Sequence, residues 1–198
     1  MNIPNEFKPY FPTHCKHCGS PLVVEDVHLL CKNDDCVGIK RALYSQSIGQ
    51  LSLFGIGSSM IRDLWASGFT NPIDLLNPTK FNKAEVLKRG VISDGKTLDN
   101  LFNEIGKVKE LSLRKIIMML GFKGMGTSTS KQIANKIAGV PYDFSGLQKS
   151  IVEGFDPGEP KRIKVDNAIG ELMQFIDIEM PEDLNLDDKI KIELTGSP

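Results

Sequence analysis

Short amphipathic segments separated by glycine turns run through residues 45–180 and predict a mostly α-helical domain. The clearest apolar stripe follows Thr127 and Ser128, where apolar residues recur at the spacing of one helical face. These residues are Ile133, Ala134 and Ile137. Isolated helices of about 8–14 residues are marginal in water. The predicted helices must therefore pack against one another to be stable.

Residue types that favour helix ends bound two of these helices. Asn71 followed by Pro72 is typical of an N-cap and a first helical position. Ser112 is predicted to cap the next apolar segment, LRKIIMML, which ends at Gly121. The sequence thus predicts one helix start at Asn71 and a complete short helix between Ser112 and Gly121.

A pattern of helix end, Gly-x-Gly, Ser or Thr, and amphipathic helix occurs twice in clear form. The two copies are LSLFGIGSSMIRDLWASG (51–68) and MMLGFKGMGTSTSKQIANKIAG (118–139). Weaker copies occupy residues 87–105 and 151–176. A pattern that recurs along a chain indicates one structural unit used repeatedly. The sequence therefore predicts four helix–hairpin–helix units that pack as two pairs.

All four cysteines lie near the N-terminus in two close pairs, Cys15-x2-Cys18 and Cys31-x4-Cys36. Two such pairs on two turns can bring four thiolates onto one tetrahedral Zn²⁺. Because thiolates would then occupy every coordination position, the zinc would be structural. It would stabilise a segment that is too small for a core of its own. Disulfides and free buried cysteines are the alternatives.

Three histidines, His14, His17 and His28, lie close to the cysteine pairs. Histidine nitrogens also bind zinc, so replacement of one cysteine ligand by a histidine is a further alternative. Since four cysteines are available, surface positions or positions around the ligands are the simpler assignment for the histidines.

The glycine turns have the composition of a phosphate site. Glycine permits positive φ and close approach of a ligand, and the free N–H groups of the following helix favour an anion. Hydroxyl groups and a lysine one turn further on add donors and charge. Such contacts hold a nucleic-acid backbone without reading bases. The predicted DNA-binding residues are Gly55, Gly57, Ser58, Ser59, Gly95, Lys96, Gly124, Gly126, Thr127, Ser128 and Lys131.

Other kinds of phosphate site fit these turns less well. No stretch has the G-x4-G-K-[ST] pattern of a P-loop. A dinucleotide site would need a second parallel strand and a ribose-binding acid after Gly121, and the sequence offers neither at the proper spacing. The remaining alternative is that Gly-x-Gly only forms a tight hairpin for packing, and for any single copy this alternative stays open.

Charge is distributed unevenly along the chain, although the net charge is −1. Residues 1–150 contain 19 Lys and Arg against 13 Asp and Glu, whereas residues 151–198 contain 5 against 12. A basic body suits a polyanion partner, and a solvated helix face explains the same basic run. No apolar run approaches the roughly 20 residues of a membrane span, and the N-terminus lacks the regions of a signal peptide. We therefore expect a cytoplasmic protein without a membrane partner.

Taken in order, these motifs resemble the C-terminal half of a bacterial-type NAD-dependent DNA ligase. CKHCGSPLVVEDVHLLCKNDDC resembles its four-cysteine zinc finger, LSLFGIGSSMIRDLWASGFTNPIDLL its first helix–hairpin–helix, and LRKIIMMLGFKGMGTSTSKQIA its third. IKIELTGSP resembles the first strand and turn of a BRCT domain. The resemblance implies a zinc finger at 1–44 and a helix–hairpin–helix DNA-binding domain of four repeats, two of them degenerate, at 45–180. It also implies an acidic linker with the start of a truncated BRCT-like domain at 181–198.

The resemblance implies a non-catalytic chain that grips nicked double-stranded DNA by its backbone to support nick sealing in replication and repair. Such ligases attach AMP to the lysine of Lys-x-Asp-Gly in an adenylation domain, whereas KVDN (164–167) has Asn167 and follows the hairpins. NAD and Mg²⁺ would therefore act only through a catalytic adenylation/OB half. The chain resembles part of the split ligases of some tailed phages, which implies the cytoplasm of a bacterial host. An excised fragment of a longer ligase is the alternative.

Two other functions fit the same features. A general helix–hairpin–helix accessory module of DNA repair or of a nuclease would bind branched or damaged DNA without an adenylation partner. A zinc-stapled protein-interaction module would not bind DNA, and the acidic C-terminal region favours it. The salt dependence of DNA binding separates these functions.

Overall fold

The computed structural model describes residues 12–26, 28–122, 125–141, 144 and 146–181. Within this part of the chain, eight α-helices, one 3-10 helix (Pro72–Leu76) and four short strands occur. The helices are α1 Val37–Gly49, α2 Ser58–Ala66, α3 Lys83–Lys88, α4 Lys96–Lys107, α5 Leu113–Met119, α6 Thr127–Ala138, α7 Lys149–Glu153 and α8 Pro160–Leu172. The strands are β1 Leu22–Glu25, β2 His28–Cys31, β3 Glu110–Ser112 and β4 Asp177–Glu179. The predicted fold class, mostly α with a small four-cysteine module, is confirmed.

The described helices are all too short or too polar to cross a membrane. They follow one another as four pairs, α1–α2, α3–α4, α5–α6 and α7–α8. In every pair a turn precedes the second helix, and we number these turns 1 to 4 and define each as the six residues that end at the N-cap of the second helix. The turns are 52–57, 90–95, 121–126 and 154–159, each ending at the N-cap of its second helix. The two weaker copies of the repeat thus form helix pairs as well.

Three of the four turns begin with a residue in the left-handed region. The φ angles are 53° at Ser52, 73° at Gly90 and 65° at Gly121, whereas Gly154 of turn 4 has a φ of −60°. A left-handed residue at this place reverses the chain after the first helix. Glycine adopts this conformation without strain, but a serine carries a Cβ that crowds the backbone. Turn 1 is therefore strained at a position where turns 2 and 3 are not.

We expect Ser52→Gly to stabilise the protein by about 0.5–1 kcal/mol and Gly121→Ser to destabilise it by about 1–2 kcal/mol. The gain at Ser52 is smaller because glycine also increases the entropy of the unfolded chain. A Cβ at Gly121 would meet only Leu43 Cβ and Ser47 Oγ, both at 3.8 Å, so strain and not a clash sets its effect. Urea unfolding measures both free energies. A Ser52→Gly protein less stable than wild type would contradict this account.

Three clusters of buried side chains hold the helix pairs together. The first joins the pairs around turns 1 and 2 and contains Leu64 of α2 and Leu101 of α4. The second joins the pairs around turns 3 and 4 and contains Ile133 of α6 and Val165 of α8. In the third cluster, Ile73 of the 3-10 helix packs with residues of α5 and α8. The helix pairs therefore pack two by two, and the third cluster joins the two halves.

The two helix starts predicted from capping residues have different outcomes. Asn71 Oδ1 accepts the Ile73 N–H at 3.3 Å, so Asn71 caps the helix, which is a 3-10 helix. Ser112 occupies the N-cap position of α5, but its side chain makes no capping hydrogen bond. Ser112 instead ends β3, which pairs in parallel with β4 and places Leu111 opposite Ile178. Strand pairing, and not a capping side chain, fixes the chain before α5.

The predicted domain boundaries remain predictions. α1 begins directly after Cys36 and runs to Gly49, so this helix continues through residue 44, the predicted end of the zinc finger. The predicted linker and BRCT-like start at 181–198 lies outside the described residues except for Pro181.

Candidate metal centre and nucleic-acid interface

The first two cysteines lie on a tight turn closed by the backbone. The Cys15 carbonyl accepts the Gly19 N–H, and the Cys15 N–H donates to the Ser20 carbonyl, both at 2.8 Å. Gly19 has a φ of 71°, which a glycine adopts readily. The turn therefore presents Cys15 and Cys18 on the same side, as the spacing of the pair predicts.

The other two cysteines lie at the end of a strand and at the start of a helix. Cys31 ends β2 and lies opposite Leu22 of the antiparallel β1. The Cys36 N–H donates to the Asn33 carbonyl at 3.0 Å, and Asn33 Oδ1 accepts the Asp35 N–H at 2.9 Å. Cys36 is also the N-cap of α1. The cysteine cluster is thus continuous with the first helix pair.

The four sulfur atoms converge on one point. The Sγ atoms of Cys15 and Cys36 are 3.7 Å apart, those of Cys18 and Cys31 are 3.6 Å apart, and all four lie within 4.8 Å of one another. A tetrahedral zinc with bonds of about 2.3 Å would separate its sulfurs by about 3.8 Å. A disulfide needs about 2.05 Å, and all four cysteines are free. The cluster can bind a metal such as zinc, and its sulfur separations suit a shared metal better than a disulfide.

Two of the thiols have strongly shifted pKa values. Hydrogen bonds from the side chain and backbone of Ser20 lower the pKa of Cys18 to about 6. The Asn33 N–H lowers the pKa of Cys31, but burial and the neighbouring sulfurs outweigh it and raise the value to about 12. Opposite shifts are expected where crowded thiols cannot all ionise. A bound cation would stabilise all four thiolates together.

The three nearby histidines lie outside the group of converging sulfurs. The ring of His17 lies against α1, so close to Gly38 that a Cβ at that glycine would collide with it. His14 Nδ1 is 2.9 Å from Thr13 Oγ1, and His28 is exposed at the start of β2. Among the described residues, the cysteines form the one group of three or more potential ligands. The geometry therefore favours the four-cysteine set over a set with a histidine.

Among the described residues, the predicted DNA-binding residues lie at or near the starts of three helices, and those at the starts of α2 and α6 are exposed. Their N-caps, Gly57 and Gly126, have no side chain that could cap the helix, and a Cβ at either would meet no atom of the described residues within 4 Å. The first helical hydrogen bonds run from the Ile61 and Ser130 N–H groups to the carbonyls of Gly57 and Gly126. The three N–H groups that precede Ile61, and the three that precede Ser130, therefore have no acceptor within the helix. Neither first turn contains an acidic residue. The exposed residues at these starts are Gly57, Ser58, Ser59, Gly126, Thr127 and Ser128.

Turn 2 has a more crowded helix start. The Gly95 N–H donates to Asp94 Oδ1 at 2.9 Å. Lys83 pairs with Asp94 at 2.6 Å and with Asp99 at 2.7 Å. Lys96 is exposed and forms no ion pair with another described residue. Two carboxylates near the start of α4 oppose an incoming phosphate, so turn 2 offers a weaker site than turns 1 and 3.

Turn 4 is unsuited to an anion. Its N-cap is Glu159, whose carboxylate is placed at the positive end of α8. The first helical residue is Pro160, which has no N–H to donate. The predicted DNA-binding set contains no residue of turn 4. The N-cap carboxylate and the missing N–H of the proline give a physical reason for leaving this turn out.

Gly55 has a structural role in turn 1. Its φ is 72°, and a Cβ there would lie 3.1 Å from Asn100 Nδ2 of α4. That amide donates to the Phe54 carbonyl at 3.1 Å. The contact supports the packing alternative for this glycine, and its contact with DNA stays a prediction. Gly124, at the corresponding position of turn 3, lies outside the described residues.

The predicted DNA-binding set left out two basic residues that occupy the same helical position as Lys131. Aligning the four pairs on their N-caps places Arg62 of α2, Lys131 of α6 and Lys164 of α8 at the same helical position. Arg62 donates to Ser59 Oγ at 3.2 Å, whereas Lys131 and Lys164 are exposed without an ion pair to a described residue. Lys131 was in the predicted set. Aligning the two Gly-x-Gly copies already places Arg62 opposite Lys131, whereas Lys164 is found only by an alignment on the N-caps.

DNA ligases in the curated collections are similar to this chain over most of its length. The ligase of Pediococcus pentosaceus is 30% identical over 149 residues, which are 73% of this chain and 21% of that ligase. The ligase of Mycoplasmopsis agalactiae is 32% identical over 130 residues, 64% of this chain and 20% of that ligase. The ligase of Halalkalibacterium halodurans is 32% identical over 135 residues, 65% of this chain and 20% of that ligase. No family model matches the chain, and no solved structure matches it.

Four clustered thiols followed by four helix pairs define a small metal-binding module joined to a tandem helix-pair protein. The chain is homologous to a segment of the DNA ligases, and the resemblance to them is confirmed. It spans about a fifth of the length of these curated relatives.

Proposed function

We propose that this chain is the non-catalytic DNA-binding part of an NAD-dependent DNA ligase and grips nicked duplex DNA by its phosphate backbone. The observation that carries the proposal is the recurrence of an open, exposed helix start in turns 1 and 3, in a chain homologous to DNA ligases. Free N–H groups at a helix start bind phosphate through hydrogen bonds and the helix dipole. Since α1 packs against α2 and α5, and α5 packs against α6, the two helix starts belong to one packed body, and in this proposal they hold two phosphates of one duplex.

Cations beside these helix starts support the same function. Arg62 and Lys131 lie one turn beyond the N-caps of α2 and α6, and Lys96 opens α4. Lys96 and Lys131 have no ion pair within the described residues, so their charge is available to a phosphate. Lys164 adds a cation at the fourth pair, where N–H donors are lacking. Turns 1 and 3 therefore provide the strongest contacts, and turn 2 and Lys164 provide weaker ones.

The metal at the four cysteines is zinc in this proposal, in a structural role. The sulfur distances of 3.6 and 3.7 Å suit a tetrahedral zinc, and four thiolates leave no open position for a substrate or water. Because Cys36 is the N-cap of α1, the metal would also fix the start of the first helix pair. The zinc module and the helix pairs would then contact DNA as one body.

Ligation chemistry belongs, in this proposal, to a catalytic adenylation/OB half that uses NAD and Mg²⁺. Within this chain, the KVDN stretch is part of α8: Val165 is buried in the core, Lys164 is exposed, and Arg162 donates to Asp166 at 2.8 Å. The two halves are either separate subunits, as in a split phage-type ligase, or parts of one longer ligase. In both cases the chain acts in the bacterial cytoplasm, and mixing the two halves restores nick sealing.

Binding to nicked duplex should weaken steeply with salt and should not depend on base sequence. Each neutralised phosphate contributes about −0.9 to the slope of log K against log salt concentration. With two strong helix starts and their cations, we expect two to four neutralised phosphates and a slope of about −2 to −4. Fluorescence anisotropy with labelled nicked duplexes of two unrelated sequences measures both properties.

Three outcomes would contradict the proposal. A flat salt dependence, or no binding, would favour the protein-interaction module, for which exposed Val23, Val24 and Leu30 offer an apolar surface. Stronger binding to branched than to nicked duplex would favour the general DNA repair or nuclease module. Nick sealing by this chain alone would show that it is catalytic.

A further inference from the structure

The side chain of Phe54, the third residue of turn 1, projects into solvent. It is 82% exposed, the highest value for a large apolar side chain in the described residues. Its neighbours Leu53 and Ile56 pack instead onto the first buried cluster. The turn thus directs one aromatic ring outward while the residues on both sides anchor it to the core.

The backbone of Phe54 is held on both sides by α4. Its N–H donates to Glu104 Oε2 at 3.0 Å, and its carbonyl accepts from Asn100 Nδ2 at 3.1 Å. Glu104 is only 8% exposed and also pairs with Lys107. Gly55 allows this approach, because a Cβ there would crowd Asn100. The backbone that carries the ring is therefore positioned before any ligand binds, which lowers the entropic cost of using the ring in a complex.

We propose that the Phe54 ring enters a groove of the bound duplex and stacks against a base at the nick. The inference rests on the proposed function, since Phe54 lies three residues before Gly57, whose helix start would hold a phosphate. Proteins that bind a groove often insert an apolar side chain between base steps, at a cost of a few kcal/mol for unstacking. That cost is smaller where one strand is interrupted, because the bases there are less constrained.

Turns 2 and 4 have no such ring at the corresponding position. Ile92 of turn 2 is buried in the first cluster, and Asp156 of turn 4 pairs with Lys136 at 2.6 Å. The exposed ring of Phe54, here called the wedge, therefore distinguishes turn 1 from turns 2 and 4. It would set the register of the protein relative to the nick, whereas phosphate contacts alone would allow sliding.

The test compares a nicked duplex carrying 2-aminopurine beside the nick with the intact duplex of the same sequence. We expect Phe54→Ala to weaken binding to the nicked duplex by about fivefold or more and to remove the fluorescence change that reports stacking. The salt slope should stay unchanged, because no phosphate contact is lost. Phe54→Trp should keep both properties. Met173→Ala, which truncates a side chain that is 66% exposed and outside the turns, is the matched control.

The outcomes separate this inference from the proposed function. Wild-type affinity and fluorescence in Phe54→Ala would overturn the wedge, while a steep salt slope would still support backbone binding. Equal losses on nicked and intact duplex would overturn the assignment to the nick. No binding of the wild-type protein to either duplex would overturn the proposed function and the wedge together. Because Phe54 is exposed, its variants should unfold at the same urea concentration as wild type, which confirms that they are folded.

Discussion

If the four cysteines bind zinc as proposed, removing it is expected to unfold residues 12–36 while the helix pairs stay folded. A structural zinc contributes about 10–16 kcal/mol to the folding of a small module. The cysteine module has little else to stabilise it, since Val23, Val24 and Leu30 of its two strands are more than a third exposed. The helix pairs have three buried clusters of their own. Hydrogen exchange before and after a chelator should show protection lost only in β1, β2 and the start of α1.

Substitutions test the ligand set independently of the chelator. Cys36→Ser should release the metal and loosen the start of α1, because Cys36 belongs to the proposed ligand set and is the N-cap of that helix. His14→Ala should keep one zinc per chain, and elemental analysis of the purified variants measures this. Loss of zinc from His14→Ala would show that the four-cysteine ligand set is wrong. Chelation that unfolds the helix pairs as well would show that the metal stabilises more than its own module.

The cysteine cluster could be predicted because its geometry is local. Both pairs lie on short turns, and the residues that close the turns, such as Gly19 and Asn33, are neighbours of the cysteines in sequence. The helix pairs were predictable for a similar reason, since each pair contains its own turn. The metal itself was inferred from thiol chemistry, and the sulfur distances agree with that inference.

Contacts between distant parts of the chain could not be predicted in this way. The parallel pairing of β3 with β4 joins residues around Leu111 to residues around Ile178, and three-residue strands have no recognisable pattern. The bond from Phe54 to Glu104 depends on how two helix pairs pack, so an isolated turn gives no sign of it. Lys164 was missed because its copy has no Gly-x-Gly, the pattern by which the copies were aligned. Its helical position became visible only when the N-caps were compared.

Gly126→Asp is expected to weaken binding to nicked duplex by about tenfold or more while leaving stability unchanged or slightly higher. Gly126 has φ −82° and ψ 178°, which suits an N-cap, and a Cβ there meets nothing within 4 Å. An aspartate at this position can accept a free N–H of α6 and interacts favourably with the helix dipole, which is worth a few tenths of a kcal/mol over glycine. The same carboxylate would occupy the position of a phosphate and repel it. Anisotropy titration and urea unfolding measure the two effects on one protein.

Gly126→Asn is the matched control, because asparagine caps a helix as well as aspartate does but carries no charge. It should keep the stability gain and lose less affinity than Gly126→Asp, and the difference between the two variants isolates the repulsion of the phosphate. Both variants should retain their metal, since turn 3 contributes no ligand to the cysteine cluster. Full DNA affinity in Gly126→Asp would mean that turn 3 serves packing alone. Equal losses of affinity in both variants would mean that any side chain at position 126 blocks the approach of the DNA backbone. DNA binding would then require the open space at Gly126 and would not depend on the charge introduced there.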